Sequence, residues 1–165
     1  MARSNSKSYK DKIAYLGCGE FPMQGAVNVD IRQLKGVDVV ADVKKLPFTD
    51  GELQGIASRN LIEHFGRHEV QNLVKEWARC LKKGGFLHCE TVDMGRAMDK
   101  WREIPEENFI DCMYGAETYD ENYHKSLMTQ EILIRLYENA GLEVMQIEGF
   151  EHREIPRIVI KGKKI

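Results

Sequence analysis

The chain has 165 residues, 42% of them hydrophobic and 30% charged, a balance that fits one globular domain large enough to bury a core. A formal net charge of −2 gives no overall pull toward nucleic acid or an anionic membrane, so neither is expected as a partner. No apolar run approaches the ~20 residues of a membrane span. The polar, basic start MARSNSKSYKDK lacks the apolar stretch of a secretion signal, which points to a cytoplasmic protein.

Residues 1–10 are expected to form a flexible arm, and residues 11–165 a single domain. Ile13–Leu16 reads as a first strand that breaks abruptly at Gly17-Cys18-Gly19. Ala26–Ile31, Val37–Ala41 and Gly55–Ser58 read as three more short apolar strands. None shows strict polar alternation, as expected of strands covered on both faces. From Arg67 to Lys82 the apolar residues Val70, Leu73, Val74, Trp77, Ala78 and Leu81 recur at helical spacing, with Lys82-Lys83 suited to the helix C-terminus and Gly84 to its stop. Gly85–Val92 reads as a fifth strand. Residues 93–128 form an insertion without clear periodicity, rich in Met, Tyr and acids, with room for one or two short helices. Thr129 is a good N-cap for a helix ending at Gly141. Leu142–Ile147 and Arg157–Ile160 read as two final strands with no helix between them. The alternation predicts an α/β fold with a mainly parallel sheet and an antiparallel C-terminal pair.

The four cysteines (Cys18, Cys80, Cys89, Cys112) and five histidines show no metal-ligand spacing, so no metal is expected. Reduced thiols are the simplest reading. Oligomeric state leaves no signature in the sequence.

In parallel sheets of this kind ligands sit at the C-terminal ends of the strands. The groups there are Gly17-Cys18-Gly19, then Asp30-Ile31, Asp42, Arg59-Asn60 followed by Leu61–Phe65, and Asp93. A glycine turn lets backbone N–H groups approach a ligand closely. An acid at the tip of the next strand can take two ribose hydroxyls. The third glycine of a dinucleotide fingerprint is missing, since Pro22 stands in its place, and there is no P-loop Lys-Ser/Thr. NAD and ATP are therefore disfavoured, and another nucleoside-bearing cofactor is left. Ten residues separate Gly19 from Asp30, against about 20 in the usual turn, so the helix after the first strand must be very short or a mere turn.

The segments LGCGE, NVDI, ADVKKLPF, SRNLIEHF and LKKGGFLHCE, in this order, resemble the class I S-adenosylmethionine-dependent methyltransferases, in particular the small bacterial methyltransferase-11-like subgroup. YGAETYDENYHKSLMT is similar, more weakly, to the segment before that subgroup's last helix. The resemblance implies a single Rossmann-like, doubly wound sheet of seven strands in the order 3-2-1-4-5-7-6. It also implies S-adenosyl-L-methionine as cofactor and S-adenosyl-L-homocysteine as product. The turn Gly17, Cys18, Gly19 would lie under the methionine portion. Asp30 would hold the ribose and Ile31 would lie against adenine. Asp42 would accept the adenine amino group, and the Val43 amide could donate to the ring. Arg59 or Asn60 would face the methionine carboxylate or amine, and Leu46-Pro47-Phe48 would seat the loop closing the adenine pocket.

Several residues keep two readings. Asp42 can also cap the turn that follows it. His64 is either a cofactor contact or a packed structural residue, and Glu63 either contacts a ligand or favours a helix start. His124 matches the subgroup's histidine and is a candidate general base for a hydroxyl acceptor; the plainer role is to pin the insertion to the sheet. Asp93 is the rival base. Cys18 as a nucleophile is disfavoured, because methyl transfer from a sulfonium needs no covalent enzyme intermediate. The implied activity is methyl transfer to a small-molecule acceptor, a sugar or metabolite hydroxyl being the leading class. The alternative is a non-catalytic, cofactor- or partner-binding subunit with the same fold.

Overall fold

In the computed structural model, which describes residues 8–119 and 121–165, the strand β1 (Ile13–Leu16) lies at the centre of the sheet's parallel part. It pairs with β2 (Val27–Asp30) on one side and β4 (Leu53–Arg59) on the other. The two-residue β3 (Val39–Val40) extends the edge beyond β2, and β5 (Leu81–Val92) follows β4, all in parallel. Two long strands, β6 (Leu142–His152) and β7 (Ile155–Lys164), complete the sheet antiparallel to each other, with β7 also antiparallel to β5. The order β3-β2-β1-β4-β5-β7-β6 is the one that the resemblance implied.

Four helices accompany the sheet among the described residues: α1 (Val70–Cys80), α2 (Met94–Asp99), α3 (Glu106–Tyr114) and α4 (Gln130–Glu138). The amphipathic stripe of α1 buries Val70, Leu73, Val74, Trp77 and Ala78. With Leu133, Leu136 and Tyr137 of α4, these residues join one core with Leu16, Val29, Ile56, Leu87, Cys89 and Ile160 from the strands. Both helices therefore cover the same sheet face. On the opposite face Ile13, Tyr15, Phe86, His88 and Val159 are only partly buried, and Lys161 is exposed. The connections over residues 17–26 and 31–38 contain no helix, so the short first helix is reduced to turns. α2 and α3 lie in the insertion around a second cluster of Val92, Met94, Ala97, Ile104 and Cys112.

Three boundaries differ from expectation for identifiable reasons. The helix expected over 67–82 ends at Cys80, because Leu81 turns extended and pairs with Leu53. Lys82-Lys83 therefore belong to β5. Gly85 is needed there, since a Cβ would meet the Lys82 and Gln54 carbonyls at 2.8 and 2.9 Å. The final strands are longer than Leu142–Ile147 and Arg157–Ile160. They are joined by Arg153-Glu154, both at positive φ (51° and 63°), a two-residue hairpin turn made without the Asn or Gly that usually announces one. Of the expected N-terminal arm, residues 1–7 lie outside the described residues. Tyr9 is anchored, its amide donating to Glu52 at 2.7 Å and its ring edge-on to Phe48. Among the described residues, no helix is long and apolar enough to cross a membrane.

Candidate functional site

The chain leaves β1 through a turn that glycine alone accommodates well. Gly17 and Gly19 have φ of +64° and +53°, and a Cβ on Gly17 would meet Leu61 at 2.7 Å. The Cys18 amide donates to the Val29 carbonyl at 3.2 Å. The Gly19 amide donates to Asp30 Oδ2 at 2.8 Å. Asp30 is 5% exposed, and its Oδ1 accepts from the Arg32 amide at 2.9 Å and from Arg32 Nε at 3.2 Å. The Arg32 guanidinium lies 4.2 Å over the Tyr119 ring, tying the insertion to the acid. Ile31 beside it is half-exposed.

Beyond β3, Asp42 Oδ1 accepts from the Lys44 amide at 2.9 Å, so this acid does cap the following turn. The Val43 carbonyl is fixed by the buried Trp77 indole N–H at 3.1 Å. Glu76 accepts from the Leu46 amide at 2.9 Å, while Arg79 donates to Glu76 and to the Phe48 carbonyl. α1 thus holds the 43–48 loop in place. The Arg79 partner keeps the Glu76 carboxyl below its usual range, with the Leu46 amide adding to the effect against the opposing cost of burial.

These segments enclose a cavity of about 250 Å³. Gly17, Gly19, Asp30, Ile31, Asp42, Val43, Asn60 and His64 are among the residues that line it. Two expected cofactor residues are not brought to it. The Cys18 side chain is 3% exposed and packs inward, and its amide belongs to the sheet ladder. Arg59 is drawn away by an ion pair with Glu90 at 3.0 Å; the same Glu90 holds Arg157, which also donates to Asn60. Asp93 does not reach the cavity either. Its Oδ1 caps α2 by accepting from the Arg96 amide at 3.2 Å, and its Oδ2 is buried without a partner. Sequence reasoning missed Arg32, Tyr119 and Lys125, which also line the cavity. Arg32 could have been found from its position two residues after Asp30; the other two come from the aperiodic insertion.

His124 lies outside the cavity lining but next to it. The amides of Lys125 and Ser126 donate to the Glu63 carbonyl at 2.8 and 3.2 Å, which pins the insertion onto the 3-10 turn Ile62–His64. The His64 and His124 rings meet edge to face at 5.0 Å. Nδ1 of His64 lies 3.1 Å from the Tyr123 carbonyl, and Nδ1 of His124 lies 2.9 Å from the Cys112 carbonyl. Burial holds the His64 imidazole below its usual range, against the opposing charge of Glu63 and the Tyr123 and Asn60 carbonyls, while His124 adds to the lowering. Glu63 is 2% exposed, and among the described residues neither carboxylate oxygen has a hydrogen-bond partner. One ligand atom from each of Glu63, His64 and His124 lies within 4.8 Å of the others, a grouping that sequence spacing did not reveal.

All four cysteines are free and buried. Burial pushes the thiols of Cys80 and Cys89 up to about 12 and that of Cys112 up to about 11, and raises Cys18 as well. None is suited to act as a thiolate nucleophile near neutral pH.

A family model described as a methyltransferase domain matches residues 22–89, from just beyond the glycine turn into β5. The fold is similar to that of a SAM-dependent methyltransferase from Methanosarcina mazei, with a TM-score of 0.70 and 18% identity over 98% of this chain and 95% of that one. A SAM-dependent methyltransferase from Thermotoga maritima gives a TM-score of 0.65 and 23% identity over 94% of this chain and 83% of that one. The 1,6-didemethyltoxoflavin-N1-methyltransferase of Burkholderia thailandensis, solved with its substrate and S-adenosylhomocysteine, gives 0.65 and 11% over 94% and 72%. A search of curated proteins finds no match.

Proposed function

We propose that this chain, a class I S-adenosylmethionine-dependent methyltransferase in its fold and matched domain, binds S-adenosylmethionine in the cavity at the tips of β1–β3 and methylates a small-molecule hydroxyl. The observation that carries the cofactor reading is the joined pair of Gly19 and Asp30. The turn leaves no room for a Cβ at Gly17, and the acid stands beside it at the cavity wall.

S-adenosylmethionine supplies the electrophilic methyl group, and the protein supplies position and surroundings. In this reading Asp30 accepts the two ribose hydroxyls. A carboxylate offers about four lone-pair sites, and three already receive Gly19 N–H, Arg32 N–H and Arg32 Nε–H. Arg32 Nε therefore gives way on binding, and with it the contact to Tyr119. Ile31, half-exposed in the cavity, lies against adenine. Asp42 Oδ2, now 3.8 Å from Lys44 Nζ, accepts from the adenine amino group, and Trp77 holds the Val43 carbonyl in the loop beside the ring. The Gly17–Gly19 turn and Asn60 face the methionine portion. In this reading Cys18, Arg59 and Asp93, which do not line the cavity, take no part.

The acceptor side of the cavity is the wall formed by His64, Tyr119, Glu121 and Lys125. A hydroxyl acceptor must lose its proton as it attacks, and His64, with the His124 ring packed against it, is the candidate base on that wall. Four free cysteines fit a reducing, cytoplasmic setting. Incubation with methyl-labelled S-adenosylmethionine and a panel of sugar and metabolite hydroxyls tests the activity. Label transfer to an oxygen supports it, and transfer only to nitrogen or sulfur acceptors contradicts the hydroxyl class.

A second reading, a partner-binding subunit, has one observation in its favour: among the described residues, Tyr15, Phe86 and Val159 on the sheet face away from α1 and α4 are only partly buried. It predicts cofactor binding without turnover until a partner is supplied.

A further inference from the structure

We infer that Glu63, His64 and His124 form a binding site for one divalent transition-metal ion at the acceptor wall of the cavity. The inference rests on the methyl-transfer reading for its purpose, but not for its evidence.

Three independent features converge. The first is the donor set: one carboxylate and two imidazoles whose ligand atoms lie within 4.8 Å of one another. Bonds of about 2.0–2.1 Å to a tetrahedral ion place ligand atoms about 3.4 Å apart, so side-chain rotations of an ångström or so close the set. The second is the state of Glu63. A carboxylate in a residue 2% exposed, with both oxygens lacking a hydrogen-bond partner among the described residues, is a costly arrangement unless a cation compensates it. The third is how the histidines are held. Each Nδ1 faces a backbone carbonyl, from Tyr123 and from Cys112. A carbonyl can only accept, so His124 Nδ1 carries its proton and its neutral ring keeps the lone pair on Nε2; His64, which also meets the Asn60 carbonyl, offers a lone pair to an ion by giving up one of its two carbonyl contacts. Fixing the tautomer by a carbonyl on the far nitrogen is how proteins orient metal-binding histidines.

The mixed nitrogen and oxygen donors suit Zn²⁺, Co²⁺ or a similar ion, and argue against Mg²⁺ and Ca²⁺, which prefer oxygen alone. Three protein ligands leave at least one position open. Of the three ligands His64 lines the cavity, so it is past this ring that an acceptor there would reach the ion. A hydroxyl acceptor bound to the ion would be positioned and acidified. Its oxygen forms the new bond to the methyl carbon and its proton passes to solvent. The carbon–sulfur bond breaks with its electron pair left on sulfur, yielding the neutral thioether. The acceptor class is thus an oxygen compound able to coordinate a metal, such as a vicinal diol or hydroxy acid. His124 then serves as a ligand and not as a free base.

The test uses the full chain stripped by a chelator and titrated with Co²⁺ alone, followed by its visible absorption and then displaced with Zn²⁺. One Co²⁺ per chain is expected. His124→Ala should weaken Co²⁺ binding by about 100-fold and Glu63→Gln by at least about tenfold, with far-UV circular dichroism confirming the fold. Since Glu63 is buried, His64→Ala provides a further variant at a partly exposed position, expected to match His124→Ala. No protein-dependent Co²⁺ spectrum in the folded chain, or undiminished binding in the histidine variants, overturns the proposal. A parallel titration with S-adenosylhomocysteine keeps the two claims apart. Cofactor binding without metal sinks only the metal site, and metal binding without cofactor sinks only the cofactor reading.

Discussion

The Gly19 amide donates to the Asp30 carboxylate at 2.8 Å, so the turn after β1 and the acid ending β2 are one rigid unit. This bond explains how a connection of ten residues between them can still build a nucleoside site. The register of two adjacent parallel strands aligns the turn and the acid, and no intervening helix is needed. Asp30→Ala removes both the ribose acceptor and this tie. It should weaken S-adenosylhomocysteine binding by about 1–3 kcal/mol, or ~5- to 150-fold, measured by calorimetry. Unchanged affinity would mean that Asp30 does not hold the ribose.

Asp93 offers a contrast. Its carboxylate caps α2 and does not line the cavity. Asp93→Ala should therefore lower stability by about 0.5–2 kcal/mol, read from urea unfolding, while cofactor affinity stays at the wild-type value. A selective loss of affinity in a protein of normal stability would restore Asp93 to the site.

The clasp of Glu76 and Arg79 on the 43–48 loop gives a pH dependence. The Glu76 carboxyl is held below its ordinary value of 4.5, mainly by Arg79. Its contribution to stability is therefore complete above about 4.5 and lost as pH falls through the lowered folded-state value. Glu76→Gln should flatten that part of the acid limb when urea midpoints are compared between pH 7 and about 3. Parallel wild-type and variant profiles would show that the clasp contributes nothing.

Cys18, Cys80, Cys89 and Cys112 are buried and their thiols are raised. An aromatic disulfide reagent near pH 8 should titrate none of them rapidly in the folded chain and all four after denaturation. A fast-reacting thiol in the native state would point to a thiolate that this structure does not contain.

Much of the architecture was legible because the parallel strands are short apolar runs ending in Gly17, Asp30, Asp42 and Asn60. Their tips could be placed on one rim without coordinates. The α1 stripe was equally plain, yet its end was not. Leu81 continues the helical spacing and Lys82-Lys83 suit a helix terminus, while pairing of Leu81 with Leu53 overrides both. The length of β6 and β7 was hidden because their exposed positions are polar and Arg153-Glu154 is an unannounced turn. The grouping of Glu63 and His64 with His124 was out of reach for another reason. Sixty residues and an aperiodic insertion separate them, and they meet through backbone bonds from Lys125 and Ser126 to Glu63 that no side-chain pattern encodes.

The central claim is that the cavity at the tips of β1–β3 takes S-adenosylmethionine. Calorimetric titration of the full chain with S-adenosylhomocysteine, and separately with NAD, tests it most directly. One site per chain for S-adenosylhomocysteine and no heat from NAD is the predicted result. Tight NAD binding with no response to S-adenosylhomocysteine would contradict the account.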